Sequence, residues 1–76
     1  RWPAALEALD RAFEKGGLDE RQSGEAHLLR GLARFRLGDF DGARSDWARA
    51  GAHEQSSEAA AQWIDYLRVE RERPAS

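Results

Sequence analysis

An all-α fold of about four helices is predicted by three features of this 76-residue chain. Apolar residues recur at three- and four-residue spacing in four stretches, the mark of helices that bury one face. Gly, Asp and Ser separate those stretches, and these residue types stop and cap helices. Proline occurs only at positions 3 and 74, so nothing between the ends interrupts a helical backbone.

The first helix is placed at residues 3–15. Pro3 suits a first-turn position, where its missing N–H would be unpaired anyway. Ala5, Leu6, Leu9, Ala12 and Phe13 make one apolar stripe, and Gly16-Gly17 ends it. The second helix is placed at 20–37. Asp19 followed by Gln22 has the spacing of a capping box, which makes Asp19 the N-cap. Ala26, Leu29, Ala33 and Leu37 form one row and Leu28, Leu32 and Phe35 the adjacent one, with Gly38 as the stop.

Asp39 caps a third helix, 40–50, closed by Gly51. Residues 51–57 read as a loop, from which Ser56 or Ser57 caps a fourth helix, 58–72, with Trp63, Ile64 and Leu67 as its apolar stripe. Arg68 with Glu72, and Glu70 with Arg73, pair at helical spacing toward a frayed end. Exposed pairs of this kind contribute only about 0.2–0.5 kcal/mol each. Short connections between the helices imply antiparallel neighbours.

A chain of this size forms one small domain and buries only about 60% of the surface its unfolded form would expose. There is no cysteine, which removes disulfides, thiolate chemistry and cysteine-based zinc sites. The net charge of −2, from 12 basic and 14 acidic residues mixed along the chain, argues against a dedicated binder of nucleic acid or anionic membrane. No apolar run approaches the roughly 20 residues needed to cross a bilayer. The start at Arg1 without a methionine suggests a piece of something longer, and the Arg-, Ala- and Trp-rich usage suggests a GC-rich bacterial genome.

The chain repeats itself. Phe40, Ala43, Trp47 and Ala50 stand as aromatic-x2-Ala-x3-aromatic-x2-Ala, and Trp2, Ala5, Leu9 and Ala12 echo that ladder 38 positions earlier. Leu28, Leu29 and Leu32 match Trp63, Ile64 and Leu67 at an offset of 35. Units of this length, each with two helices, resemble the tetratricopeptide repeat family, whose signature is W-x2-L-G-x2-Y, then A-x3-F, then P. Gly31 matches the family's glycine, Gly38-Asp39-Phe40 its turn, and Ala43-x3-Trp47-x2-Ala50 its small-large-small rungs. Gly31 and Ala43 would let two backbones approach, with Phe40 and Trp47 filling the space above and below. The departures are His27 at the leading aromatic position, Arg30 and Arg34 at the leucine and second aromatic, and Gln55 near the proline's place.

The resemblance covers residues 24–57 as one unit, its helix pair lying at 20–50. It implies an α-solenoid fragment of antiparallel helix pairs from the C-terminal end of a bacterial array. Residues 3–15 would be the second helix of a preceding unit, and 58–72 a capping helix with a more polar outer face. It further implies a non-catalytic module that binds a protein or peptide along a groove of first helices. Carried onto this chain, Glu25, Leu28, Leu32, Phe35 and Arg36 would line that groove. Leu28 and Leu32 stand where chaperone-tail binders have basic and asparagine residues, so an apolar peptide or a neighbouring helix fits better. Part of the stripe could equally be buried against the fourth helix.

Other chemistry finds little support. His27 and His53 have no second ligand at metal-binding spacing, and Ser45-Asp46 or Ser56-Ser57 near His53 are accounted for by capping and surface roles. Asp39, Asp41 and Asp46 are expected at a helix start, where negative charge suits the macrodipole. Neither cofactor nor metal is expected. Arg30 and Arg34, with Arg36, Arg44 and Arg49, could bind an acidic peptide bidentately, or form solvated faces balanced by Asp41, Asp46 and Glu25. The stems of Arg30 and Arg34 could instead lie over a neighbouring helix. Two further functions are open: self-association through Trp2, Leu6 and Leu9 or docking within a larger protein, and a regulatory segment of an enzyme.

Overall fold

The computed structural model describes residues 1–72, and the predicted Glu70–Arg73 pair and the chain end lie partly or wholly outside them. Its elements are α1 (Trp2–Lys15), α2 (Glu20–Arg36), α3 (Phe40–Ala50), a one-turn 3₁₀ helix (Glu54–Ser56) and α4 (Ser57–Glu72). No strand occurs among the described residues. The fold is all-helical, with Cα extents of 45 × 27 × 16 Å.

Local signals set most helix ends. Asp19 accepts from the Gln22 N–H at 2.8 Å while its own N–H donates to the Gln22 side chain at 3.1 Å, satisfying two donors that the first turn of α2 leaves unpaired. Asp39 accepts from the Gly42 N–H at 2.9 Å at the start of α3. Between α2 and α3, Gly38 has φ +87°, a conformation that costs a side-chain-bearing residue about 1–2 kcal/mol. Two ends differ from expectation. Gly51 closes α3 in a right-handed conformation, φ −65°, so no left-handed turn is required there. Ser56 and Ser57 donate rather than accept: Ser56 Oγ to the Ala50 carbonyl at 2.6 Å and Ser57 Oγ to the Glu54 carbonyl at 3.2 Å. Those bonds fold the loop into the 3₁₀ turn and tie it to the end of α3.

The α2 helix lies between α1 and α3, and α4 packs on α3. The buried apolar residues among those described are Ala26, Ala33, Ala43, Trp47, Ala50, Ala60 and Leu67, so the core is mostly alanine wrapped around one indole. Leu28, Phe35, Trp63 and Ile64 pack against Ala43, Trp47 and Leu67 from the rim. A Cβ built on Gly31 would stand 2.6 Å from Trp47 Cδ1 and 2.9 Å from its Cε2. The indole therefore lies on the bare backbone of α2, where its N–H donates to the Leu28 carbonyl at 3.1 Å. Phe40 does not share that burial. It is 39% exposed and meets Phe35 at a centroid distance of 5.5 Å. Leu29 and Leu37 are also exposed, leaving Ala26 and Ala33 as the buried members of their row.

Candidate functional site

Two constellations stand out, one buried and one open. The buried one centres on Asp46, whose side chain is 1% exposed. It lies in the interior of α3, three residues after Ala43 and four before Ala50, and so on the face turned to α2. The expectation that Asp46 serves the N-terminal dipole of α3 is therefore corrected: only Asp39 and Asp41 lie at that helix start. A carboxylate so far from water must be both paired and hydrogen-bonded. Arg30 donates from Nε to Oδ1 and Oδ2 at 3.0 and 3.1 Å and from Nη2 to Oδ1 at 2.8 Å. Arg34 adds Nη1 to Oδ2 at 3.0 Å, and His27 Nδ1 lies 3.4 Å from Oδ1.

The lattice joins three helices. Arg30 also donates to Asp10 of α1 at 3.1 Å, and its guanidinium carbon stands 4.3 Å over the Phe13 ring. His27 meets the same ring at 4.4 Å. Burial pulls the Arg30 guanidinium down, but the hydrogen bonds and charges of Asp46 and Asp10 outweigh it and hold it above its usual value. For His27 burial dominates and lowers the imidazole below its usual value; Asp46 opposes this, and Arg30 and Arg49 add to it. Arg30 and Arg34 are thus neither solvated faces nor free for an acidic ligand, because Asp46 already holds both. Of the carboxylates expected to balance them only Asp46 does so. Glu25 pairs with Arg21 at 3.4 Å and Asp41 with Arg71 at 3.4 Å.

The open constellation is a cavity of about 450 Å³ between α2 and α4, lined by Phe35, Arg36, Gln62, Trp63 and Tyr66. It contains two of the five residues expected in a groove. Of the others, Leu28 is half-buried against the core, Leu32 is half-buried and Glu25 is exposed. Tyr66, 46% exposed, stands edge-on to Phe35 at 5.8 Å and 64° and to Trp63 at 5.9 Å and 86°. Trp63 in turn stacks on Trp47 at 5.4 Å and 22°, so the open rings rest on the buried one. The α4 side of the groove was not anticipated. Its sequence signal is the spacing of Gln62 and Trp63 from Tyr66, four and three residues, which sets them on one helix face.

A smaller cavity of about 240 Å³ lies between α3 and α4, with Ile64 and Leu67 below Arg44, Arg68 and Arg71. Asp65 and Glu72 engage Arg68 at 2.7 and 3.3 Å. On α1, Trp2 is 38% exposed and Leu6 and Leu9 are half-buried. The pairs imagined as nucleophile and base are not assembled: Ser45 is exposed, Ser56 Oγ donates to a backbone carbonyl, and His53 Nδ1 lies 3.7 Å from Glu20. Among the described residues no group of three or more His, Asp or Glu is placed to hold a metal ion, and no helix is long and apolar enough to cross a membrane. Comparison with known proteins found no matching family model, no similar curated protein and no similar solved structure.

Proposed function

We propose that the chain is a tetratricopeptide-type helix-pair module that holds a protein partner and carries out no catalysis of its own. The observation that carries this reading is the groove between α2 and α4, where Phe35 and Arg36 face Trp63 and Tyr66. On this reading α2 and α4 are the first helices of successive units, and the groove is the start of the concave face that such units share. Rigid aromatic side chains give a large contact area with few torsions to freeze, which is why they anchor interfaces. Further support comes from the seat of Trp47 on Gly31, a large residue over a missing one at the spacing the repeat requires. The order of contacts between α2 and α3 also suits an antiparallel pair, since Phe35 meets Phe40 near the turn and His27 meets Asp46 farther along, with Gly24 against Ser56 just beyond the end of α3.

A selection of displayed random peptides on the intact chain tests this. Tyr66→Ala trims a half-exposed ring and is expected to leave the melting curve close to that of the parent. Selected peptides should lose at least about ten-fold in affinity on that variant, which corresponds to 1.4 kcal/mol. Peptides that ignore both Tyr66→Ala and Arg36→Ala, and shift resonances of α1 or α3 instead, would remove the groove as the binding face.

A further inference from the structure

We propose that the groove between α2 and α4 takes a short extended segment that contains proline and carries an acidic side chain, an inference that rests on the groove being the binding face. Its length argues for an extended ligand. The α4 helix contributes residues 62 to 66 only, about 6 Å of helix axis, and α2 contributes the neighbours Phe35 and Arg36. A docked amphipathic helix needs anchors at i, i+4 and i+7, roughly two turns or about 10 Å, which exceeds this groove.

The lining also decides how the ligand's backbone must be satisfied. All five lining residues belong to helices, whose backbone groups are mostly paired within the helix, and no sheet edge exists among the described residues to receive a strand. A polyproline II segment meets that condition because its backbone stays solvated, and its stiffness means little order is lost on docking. The rings complete the match. Phe35, Trp63 and Tyr66 line the groove together, Tyr66 meeting the other two edge-on, and aromatic-lined grooves are the surfaces on which the pyrrolidine rings of proline-rich segments dock.

Charge selects the flanking residue. Arg36 pairs with no carboxylate among the described residues; its nearest described partner is the Trp2 ring, with the guanidinium carbon 5.9 Å from the centroid. No carboxylate lines the groove, and Gln62 is neutral. Arg30 and Arg34 are spent on Asp46, so on α2 it is Arg36 that offers the bidentate fork a ligand carboxylate would accept.

The test uses the isotope-labelled chain and four synthetic peptides. They are a ten-residue proline-rich peptide with two glutamates, its twin with two lysines, a glycine–serine peptide with the two glutamates, and an amphipathic helical peptide. The acidic proline-rich peptide should shift the Trp63 indole N–H resonance and bind at least about ten-fold more tightly than the other three. Arg36→Glu should reverse the preference between it and the lysine twin. Equal binding of the two charged twins, or a helical or glycine–serine peptide seated more tightly in the groove, would overturn the ligand assignment while leaving the groove itself standing. Failure of all four peptides, with display-selected peptides still contacting Tyr66, would overturn it likewise. Display-selected peptides seated elsewhere would remove the groove and the ligand together.

Discussion

Asp46 is the most deeply buried ionisable residue among those described. A buried carboxylate loses several kcal/mol of hydration, recovered only through close geometry with its partners, and here two guanidiniums and an imidazole converge on it. The consequence falls on His27. A protonated imidazole would add a third cation beside Arg30 and Arg34, with Arg49 also near enough to oppose it and only Asp46 close enough to favour it. His27 therefore binds its proton less readily in the fold than in the unfolded chain. Between its lowered native value and the usual value near 6.5, the unfolded state holds more protons, so stability falls as pH drops through that window. Urea midpoints measured at pH 7.5 and pH 5.5 should show this loss in the parent and a smaller one in His27→Gln. An equal acid loss in both proteins would show that the imidazole is not held neutral. This lattice was only half legible in the sequence. Asp46 sits at buried-row spacing between Ala43 and Ala50, but an ionised residue at such a position reads by default as exposed, and the arginines that neutralise it lie 12 and 16 positions away on another helix.

At the scale of elements, the pairing of α2 with α3 rests on Trp47 over Gly31. Trp47→Ala would empty the largest fully buried side-chain volume, at a cost of about 3–5 kcal/mol. A domain of this length has only about 4–11 kcal/mol in all, so the variant should be largely unfolded or melt far below the parent. Gly31→Ala probes the same contact from the other side. Its methyl would enter the indole's space, and overpacking of this kind costs about 1–3 kcal/mol. Thermal melts of both check the assignment, and a Gly31→Ala protein as stable as the parent would show that the indole has room to move. These features follow from sequence because their causes are local or periodic. Asp19 and Gln22 meet within one turn, Asp39 reaches only to Gly42, and the Ala43–Trp47–Ala50 rungs repeat at helical spacing. Where tertiary partners decide, the sequence was silent. Leu29 and Leu37 fit the row of Ala26 and Ala33 yet remain exposed, and Phe40 repeats Trp2 in the ladder yet stays open at the turn. Ser56 has the chemistry of an N-cap, but its hydroxyl donates to the Ala50 carbonyl instead.

Across the whole molecule stability is unevenly spread, because α2 sits between α1 and α3 and is tied to them by different means. The α1 helix contributes no fully buried side chain. It is held by half-buried Phe13 against His27 and Arg30, by Asp10 on Arg30, and by Trp2 near Arg36. Helices with few buried contacts open locally at a lower free energy than the rest of the fold, so α1 amides should exchange faster than those of α2 and α3. Two carboxylate variants separate local from global opening. Asp10 is 44% exposed, and a pair this open to solvent contributes about 0–1 kcal/mol. Asp10→Asn should therefore raise exchange in α1 by up to about five-fold and leave α3 unchanged. Asp46→Asn strips the counter-charge from two part-buried guanidiniums at once, which should raise exchange in α2 and α3 as well, since both helices meet at that carboxylate. Equal acceleration of every helix by both variants would mean that the chain opens as one unit and that α1 is no looser than its neighbours. The distinction reaches the groove, because the Trp2 ring that flanks Arg36 travels with α1. Local opening of that helix would free the guanidinium for a ligand, and a ligand that draws Arg36 away should in turn speed exchange in α1, a reciprocity that any coupling between the two must obey.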